Sequence, residues 1–86
     1  MKFVDNFYNL RWEKPTFGGA IRYYETKIQT DLFGQFILEV FWGRKATRLG
    51  GKKLIAYGSV AELKEKVIVI HKKRLRRKYC LMPILD

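Results

Sequence analysis

Alternation of apolar and polar residues with a period of two constrains the fold of this chain more than any other feature of its sequence. Segment 7–13 places Tyr8, Leu10 and Trp12 on one side and mostly polar residues on the other, as in a half-buried strand. Segment 21–30 is rich in aromatic and β-branched residues, which favour strands. In segment 35–42 four apolar side chains share one face: Phe36, Leu38, Val40 and Trp42. The short turn over residues 31–34 predicts that the last two segments form a hairpin.

The C-terminal half contains one predicted helix. Ser59, followed three residues later by Glu62, is a capping-box pattern that marks a helix start. Apolar residues then recur at helical spacing and form a stripe that can pack on a sheet: Val60, Leu63, Val67 and Ile70, with Arg74 at the next position and a second line at Ala61, Ile68 and Leu75. The β-branched run at 67–70 favours a strand over residues 66–71 instead. Because the cap and the periodicity agree, we expect a helix.

Together these elements predict an α+β fold, an antiparallel sheet of four to five strands with one helix of the C-terminal half packed across one face. Residues 14–19, with one proline and two glycines, end the first strand. After a glycine-containing loop over residues 43–52, segment 53–57 supplies the fourth strand and segment 79–82 the fifth. At 86 residues the chain has the length of one small domain. We therefore expect a single domain over residues 1–86, with a core from about 7 to 82 and a tail at 83–86.

The excess of positive over negative charge lies entirely in the C-terminal half of the chain. Lys and Arg number 18 against 8 Asp and Glu, a formal net charge of +10. Residues 1–43 contain five basic and five acidic residues, whereas residues 44–86 contain thirteen and three. Such a one-sided excess concentrates polyanions around a small domain. Nucleic acid is the most frequent polyanionic partner of a basic domain.

Several classes of function require residues that this sequence lacks. A single cysteine, Cys80, and a single histidine, His71, exclude an internal disulfide and a Cys/His zinc site within one chain. Segment 43–51 lacks the Gly-Lys-Ser/Thr ending of a phosphate-binding P-loop, and the acidic residues are scattered rather than paired. No apolar run is long enough for a membrane span or a signal peptide. We predict a cytoplasmic protein without enzymatic activity, cofactor, metal or membrane partner.

Both residues that could carry chemistry have ordinary structural interpretations. His71 lies near the end of a basic helix, where a solvent-facing position is most frequent. Cys80 lies between Tyr79 and Leu81, and we interpret it as a small buried apolar residue.

Segment 41–53 is the candidate binding loop. It joins Trp42 to a glycine-containing stretch with five basic residues and no acidic one: Arg44, Lys45, Arg48, Lys52 and Lys53. An exposed indole can stack on a nucleobase, and guanidinium groups bind phosphate oxygens in pairs. Alternation within segment 35–42 equally places Trp42 at the rim of the core. The sequence leaves both roles of this tryptophan open.

The motif residues resemble those of the WGR domain. The resemblance is carried by Asp31-Leu32-Phe33-Gly34, a strand, Trp42-Gly43-Arg44, Thr47 and the paired glycines Gly50 and Gly51. Arg22-Tyr23-Tyr24 is similar to the aromatic first strand of the family's hairpin, and Lys72 to Tyr79 to the basic helix end and tyrosine of its bacterial members. The resemblance covers about residues 20–81. This chain departs from the family pattern at Ala46 and Lys78, where the family usually has glycine, and at Leu49, which is an extra residue.

The resemblance implies an antiparallel sheet with a helix across one face and a DNA-binding role. In DNA-dependent poly(ADP-ribose) polymerases the WGR domain contacts a DNA break, and the motif tryptophan packs against the terminal nucleotide, which implies that role for Trp42 and a contact role for Arg44. We therefore expect nucleic-acid contacts from Trp42, Arg44, Lys45, Arg48, Lys52, Lys53, Arg22, Lys73, Arg76, Arg77 and Tyr79.

A protein adaptor is the alternative function. The predicted helix carries exposed basic positions that could dock an acidic protein partner: Lys64, Lys72, Lys73, Arg76 and Arg77. Under this hypothesis the segment around Trp42 is structural only.

Overall fold

The computed structural model describes residues 7–48 and 50–83, which form an antiparallel sheet and a helix. The strands are β1 (Asn9–Pro15), β2 (Ile21–Thr30), β3 (Phe36–Arg44), β4 (Gly50–Tyr57) and β5 (Cys80–Leu81), and the helix α1 is Val60–Arg76. The predicted α+β fold is therefore confirmed. Leu49 and most of the expected tail at 83–86 lie outside the described residues.

The five strands of the described chain are ordered β4-β3-β2-β1-β5, and every neighbouring pair is antiparallel. β2 has its predicted bounds, but the predicted loop over 43–52 is wrong in extent, because β3 continues to Arg44 and β4 begins at Gly50. Gly43 pairs with Gly50 across the ladder, so these glycines extend the hairpin instead of ending it. β1 likewise runs through Pro15, which is tolerated because β5 pairs only with Trp12 and Glu13 and leaves this end of β1 at the edge of the sheet.

One face of the sheet is buried under α1. Its core consists of sheet and helix side chains that are at least nine-tenths buried: Leu10, Trp12, Ile28, Leu38, Leu63 and Val67. Each contributes about 1.5–3 kcal/mol by burial. Arg74 continues the stripe of α1 and is also buried, whereas Ala61 and Leu75 of the second predicted line are exposed. Within the described residues no helix is both long and apolar enough to cross a membrane.

α1 forms because its first turn is capped and its stripe has a sheet to pack on. The Ser59 hydroxyl accepts a hydrogen bond from the Glu62 amide at 3.2 Å, and the Ser59 amide donates to the Glu62 carboxylate at 3.1 Å. The capping box is thus confirmed. The alternative of a strand over residues 66–71 is wrong, since helical spacing buries Leu63 and Val67 together.

The opposite face of the sheet carries paired charges. Arg11 contacts Glu13 at 2.9 Å and Glu25 at 2.7 Å, and Lys45 contacts Glu13 at 3.2 Å. Cys80 lies opposite Glu13 in the ladder and so belongs to this face. It is exposed, and the prediction that it is buried is wrong.

His71 is half-buried and accepts a hydrogen bond from the core. The Trp12 indole Nε1 donates to His71 Nδ1 at 3.0 Å. The interpretation of His71 as solvent-facing is therefore wrong, because its position on α1 lies above β1 rather than over solvent. Burial lowers the pKa of His71 below its ordinary value of 6.5.

The His71 contact predicts a loss of stability in mild acid. A histidine whose pKa is lower in the folded state binds more protons when unfolded, so the free energy of unfolding falls as the pH drops through about 6.5. Thermal melts at about pH 7.5 and 5.5 should show a lower Tm at the acidic value. In His71→Asn the amide oxygen can accept a hydrogen bond from the indole N–H without titrating, so the pH dependence of the Tm over this window should flatten.

Two carboxylates with shifted pKa values titrate outside this window. The pKa values of Glu13 and Glu62 are lowered below 4.5, by the Arg11 hydrogen bond and the Ser59 backbone respectively, and their titration lies at more acidic pH. Equal pH dependence in the two proteins would contradict this account.

Within residues 7–48 and 50–83, two non-glycine residues adopt left-handed backbone conformations. Ala46 has φ 61° and Lys78 has φ 70°. Ala46 lies in a turn in which the Thr47 amide donates to the Arg44 carbonyl at 3.3 Å. Lys78 follows α1, where the Lys78 amide donates to the Leu75 carbonyl and the Tyr79 amide to the Arg74 carbonyl, each at 3.0 Å. This pair of bonds is the Schellman motif, whose left-handed residue is usually glycine.

Glycine at either position should stabilise the fold. A side chain in the left-handed region costs about 1 kcal/mol relative to glycine, after allowance for the greater chain entropy of glycine when unfolded. Ala46→Gly and Lys78→Gly should each raise the midpoint of urea denaturation without changing the slope. Arg77→Gly is the matched control for the second, since Arg77 has φ −89°, and it should lower the midpoint.

Candidate nucleic-acid interface

Three basic residues form a row across the buried face of the sheet at one end. Lys14 of β1 lies opposite Arg22 of β2, which in turn lies opposite Arg44 of β3. Like charges directly opposite one another in a sheet are destabilising. No ion pair within residues 7–48 and 50–83 involves any of the three, whereas Arg11 and Lys45 are neutralised by acids. The row therefore produces a concentrated positive potential that no acidic side chain of the described residues neutralises.

A row of aromatic side chains runs beside the basic row. Trp12, Tyr24 and Trp42 are cross-strand neighbours on β1, β2 and β3. Trp12 is fully buried, and its ring meets the edge of Tyr24 at 6.3 Å between centroids. Trp42, at the outer end, is 39% exposed. Its indole is thus a partly open surface at the rim of the core, which is compatible with both predicted roles.

Gly51 makes room for the indole of Trp42, and Gly50 makes room for the Trp42 backbone. A Cβ atom at Gly51 would lie 2.8 Å from indole Cζ2, and one at Gly50 would collide with the Trp42 carbonyl oxygen. The indole consequently lies across the backbone of β4 rather than inserting between side chains. The paired glycines of the sequence motif are explained by this contact.

The end of α1 adds Arg74 and Tyr79 to the same region. The Schellman turn reverses the chain so that the Tyr79 ring returns over the helix, with its centroid 5.0 Å from Arg74 Cζ. Arg74 Cζ is also 4.3 Å from the Tyr24 centroid, and Lys14 Nζ is 5.8 Å from the Tyr79 centroid. Cation–π contacts of this kind strengthen as they are desolvated. These contacts hold the C-terminal end of α1 and Tyr79 against β1 and β2.

These groups enclose a pocket of about 440 Å³. We call it the arginine pocket and define it by Arg22, Tyr24, Trp42, Arg44, Arg74 and Tyr79, with Gly43, Gly50 and Tyr23 completing its described lining. None of these residues is acidic. Burial raises the pKa of Tyr24, although Arg74 opposes the shift, so the phenol stays protonated at neutral pH. The arrangement can bind an anion and stack an aromatic ring.

The structure brings only some of the predicted contact residues together. Trp42, Arg44, Arg22 and Tyr79 line the arginine pocket. Lys45 is engaged by Glu13 on the opposite face, and Lys52 lies on that face too, opposite Phe41. Lys53 is exposed on the helix side of β4, opposite Val40. The remaining predicted residues are exposed at the turn after β3 or at the end of α1: Arg48, Lys73, Arg76 and Arg77.

Three residues of this region were not among the predicted contacts. Arg74 occupied a position of the apolar stripe, and a charged residue in a buried stripe is itself a signal of a site. Tyr24 and Lys14 join this region only through the strand register, which places Tyr24 opposite Trp12 and Lys14 opposite Arg22. Sequence spacing alone does not give that register.

Among the described residues no group of three or more His, Cys, Asp or Glu side chains could hold a metal ion. In comparisons with protein-family models, with curated proteins and with solved structures, nothing matches this chain. The arginine pocket is thus interpreted from its own geometry.

Proposed function

We propose that this protein is a non-enzymatic DNA-binding module that uses the arginine pocket and the basic residues around it. The observation that carries the proposal is the convergence of Arg22, Arg44 and Arg74 beside Trp42, without an acidic residue in the described lining. Arginine forks suit phosphate oxygens, and an exposed indole suits a base or ribose. Binding is dominated by phosphate contacts, with stacking on a terminal or distorted nucleotide at Trp42.

The sequence motifs support the same proposal. We propose that the chain is a WGR-like domain, because the residues of that resemblance acquire a common place in the fold. Trp42, Arg44, Gly50 and Tyr79 all line one pocket, and Gly51 lies against the Trp42 indole. Ala46 and Lys78, where the family usually has glycine, both have positive φ, so the backbone keeps the shape that glycine would favour. The backbone thus accommodates both departures.

Salt dependence is the direct test of phosphate-dominated binding. The logarithm of the binding constant for a blunt DNA duplex should fall linearly with the logarithm of salt concentration, with a slope of about −0.9 per phosphate neutralised. The double variant R22Q/R44Q should weaken binding and reduce the slope by about 1.8. Fluorescence anisotropy with labelled duplex, single strand and closed circle measures both quantities and compares DNA ends with continuous helix.

A matched double variant separates the pocket from general charge. K27Q/K52Q removes the same charge from the opposite face, where Lys27 lies over Phe41 and Lys52 lies opposite it. Its effect should be clearly smaller than that of R22Q/R44Q. Binding that does not depend on salt, absent binding at low salt, or equal effects of the two double variants would contradict the proposed function.

The end of α1 favours one second candidate, an adaptor for an acidic protein. Lys72, Lys73, Arg76 and Arg77 are exposed, and no ion pair within the described residues involves them. Lys64 of the predicted adaptor face instead lies 4.9 Å from the Phe7 centroid. R76E/R77E distinguishes the candidates, because it should abolish capture of an acidic partner while DNA binding persists if the helix end is an adaptor surface.

A further inference from the structure

Arg74 is a buried cation without an acidic partner. It is 9% exposed, and its Nε has no hydrogen-bond partner among the described residues. No ion pair of residues 7–48 and 50–83 includes it. A buried guanidinium is ordinarily paired with a carboxylate or fully hydrogen-bonded, because desolvation of an unpaired charge is costly.

The aromatic rings beside Arg74 compensate for only part of this cost. Tyr24 and Tyr79 lie 4.3 Å and 5.0 Å from its Cζ and interact with the positive charge. Ring faces stabilise a cation, but they do not replace the oxygen acceptor that the buried Nε–H of Arg74 requires. Because Arg74 lines the arginine pocket, an anion that enters the pocket can supply those acceptors.

We propose that Arg74 anchors one phosphate group in the arginine pocket, and that the unit held there is a single nucleotide with its base against Trp42. This inference rests on the proposed function and specifies the part of the nucleic acid that the pocket takes. A pocket of about 440 Å³ lies within the range of sites for small organic ligands. Because Arg22 and Arg44 are exposed and Arg74 is buried, a continuous duplex contacts the first two, whereas a nucleotide free of the base stack reaches Arg74.

Phosphate is a better match than a carboxylate from an acidic peptide. Arg22, Arg44 and Arg74 supply more positive charge than one carboxylate neutralises, and the rings of Tyr24, Trp42 and Tyr79 supply a surface for a planar base. The pocket also lies at the C-terminal end of α1, whose dipole repels anions. The affinity for an anion must then come from the guanidinium groups, and the buried Arg74 is expected to contribute most to it.

The Schellman turn determines whether this anchor is in place. Tyr79 reaches Arg74 because Lys78 takes the left-handed conformation that closes the turn. Tyr79 is therefore a positioning residue as well as part of the pocket wall. Tyr79→Phe should preserve nucleotide binding because it keeps the ring, and Tyr79→Ala should weaken it.

The test uses defined small probes with the full chain. Deoxyadenosine monophosphate, inorganic phosphate, deoxyadenosine and a glutamate-rich peptide are titrated separately, and the NMR signals of the Trp42 indole N–H and the Arg74 Nε–H are followed. The mononucleotide should shift both signals, phosphate mainly that of Arg74, and the nucleoside mainly that of Trp42. Arg74→Met should weaken mononucleotide binding at least tenfold, while Lys66→Gln, which removes an exposed charge elsewhere on α1, should change it less than about twofold.

The outcomes separate this inference from the proposed function. A thermal melt establishes whether Arg74→Met is folded. If it is not, the titrations of the wild-type protein decide whether Arg74 binds the phosphate group. DNA binding with unmoved pocket signals, or with no difference between Arg74→Met and Lys66→Gln, would overturn the role of Arg74 and leave DNA binding standing. Absent binding of DNA and mononucleotide, or occupation of the pocket by the peptide alone, would overturn both.

Discussion

Replacement of Trp12 by alanine is expected to lower the free energy of unfolding by about 3–5 kcal/mol, the largest stability effect among the substitutions considered. The Trp12 side chain is fully buried between the sheet and α1. Its removal leaves a cavity, and it also deprives His71 of a hydrogen bond and Tyr24 of an edge contact. Small domains have about 5–15 kcal/mol of total stability, so a large fraction is lost. Urea denaturation followed by circular dichroism measures the change.

Trp12→Phe is the control for the packing contribution of Trp12. Phenylalanine retains much of the apolar volume but cannot donate to His71, so the expected loss is smaller and reports mainly the indole hydrogen bond. A loss below about 2 kcal/mol in Trp12→Ala would show that α1 is not packed over β1 as described.

Replacement of Trp42 by alanine is expected to act mainly on binding. If a nucleotide stacks on the indole, the variant should lose about 1–3 kcal/mol of DNA-binding free energy, or about 5- to 150-fold in affinity. Because the indole is 39% exposed and lies over Gly51, the cost in folding stability should be well below that of Trp12→Ala. Anisotropy titrations and urea denaturation of the same preparation give the two quantities.

Trp42→Phe and Gly51→Ala sharpen the interpretation of Trp42. Phenylalanine retains an aromatic face, so it should restore part of the lost affinity. A methyl group at Gly51 would lie 2.8 Å from indole Cζ2 and must displace the ring, so binding should weaken although Trp42 is still present. A Trp42→Ala protein that is as unstable as Trp12→Ala but binds DNA normally would assign Trp42 to the core.

Much of the fold follows from local sequence patterns. Period-two alternation predicted the faces of β1 and β3, side-chain composition predicted β2, and the Ser59 capping box predicted the start of α1, because these signals depend only on neighbouring residues. The limits of β3 and β4 could not be predicted in the same way. Gly43 and Gly50 look like strand breakers, yet they pair with each other, and a Cβ atom at Gly50 would collide with the Trp42 carbonyl oxygen. This close backbone contact arises only once the strands are in register.

The site was predictable only where its residues belong to a sequence motif. Trp42, Arg44, Arg22 and Tyr79 were identified and line one pocket, whereas Lys45 was predicted as a contact but is held by Glu13 on the other face. Charge counting cannot distinguish these cases, since it ignores which face a residue occupies. Arg74 required the packing of α1 on the sheet and the turn at Lys78 to be known.

A chemical-shift perturbation map with a short blunt DNA duplex tests the central claim most directly. The account predicts that, at low salt, the largest shifts occur at residues around the arginine pocket, including Trp42, Arg44 and Tyr24, and that they diminish as salt is added. Shifts confined to the exposed end of α1 at Lys72, Lys73 and Arg76, with the Trp42 indole unmoved, would contradict it.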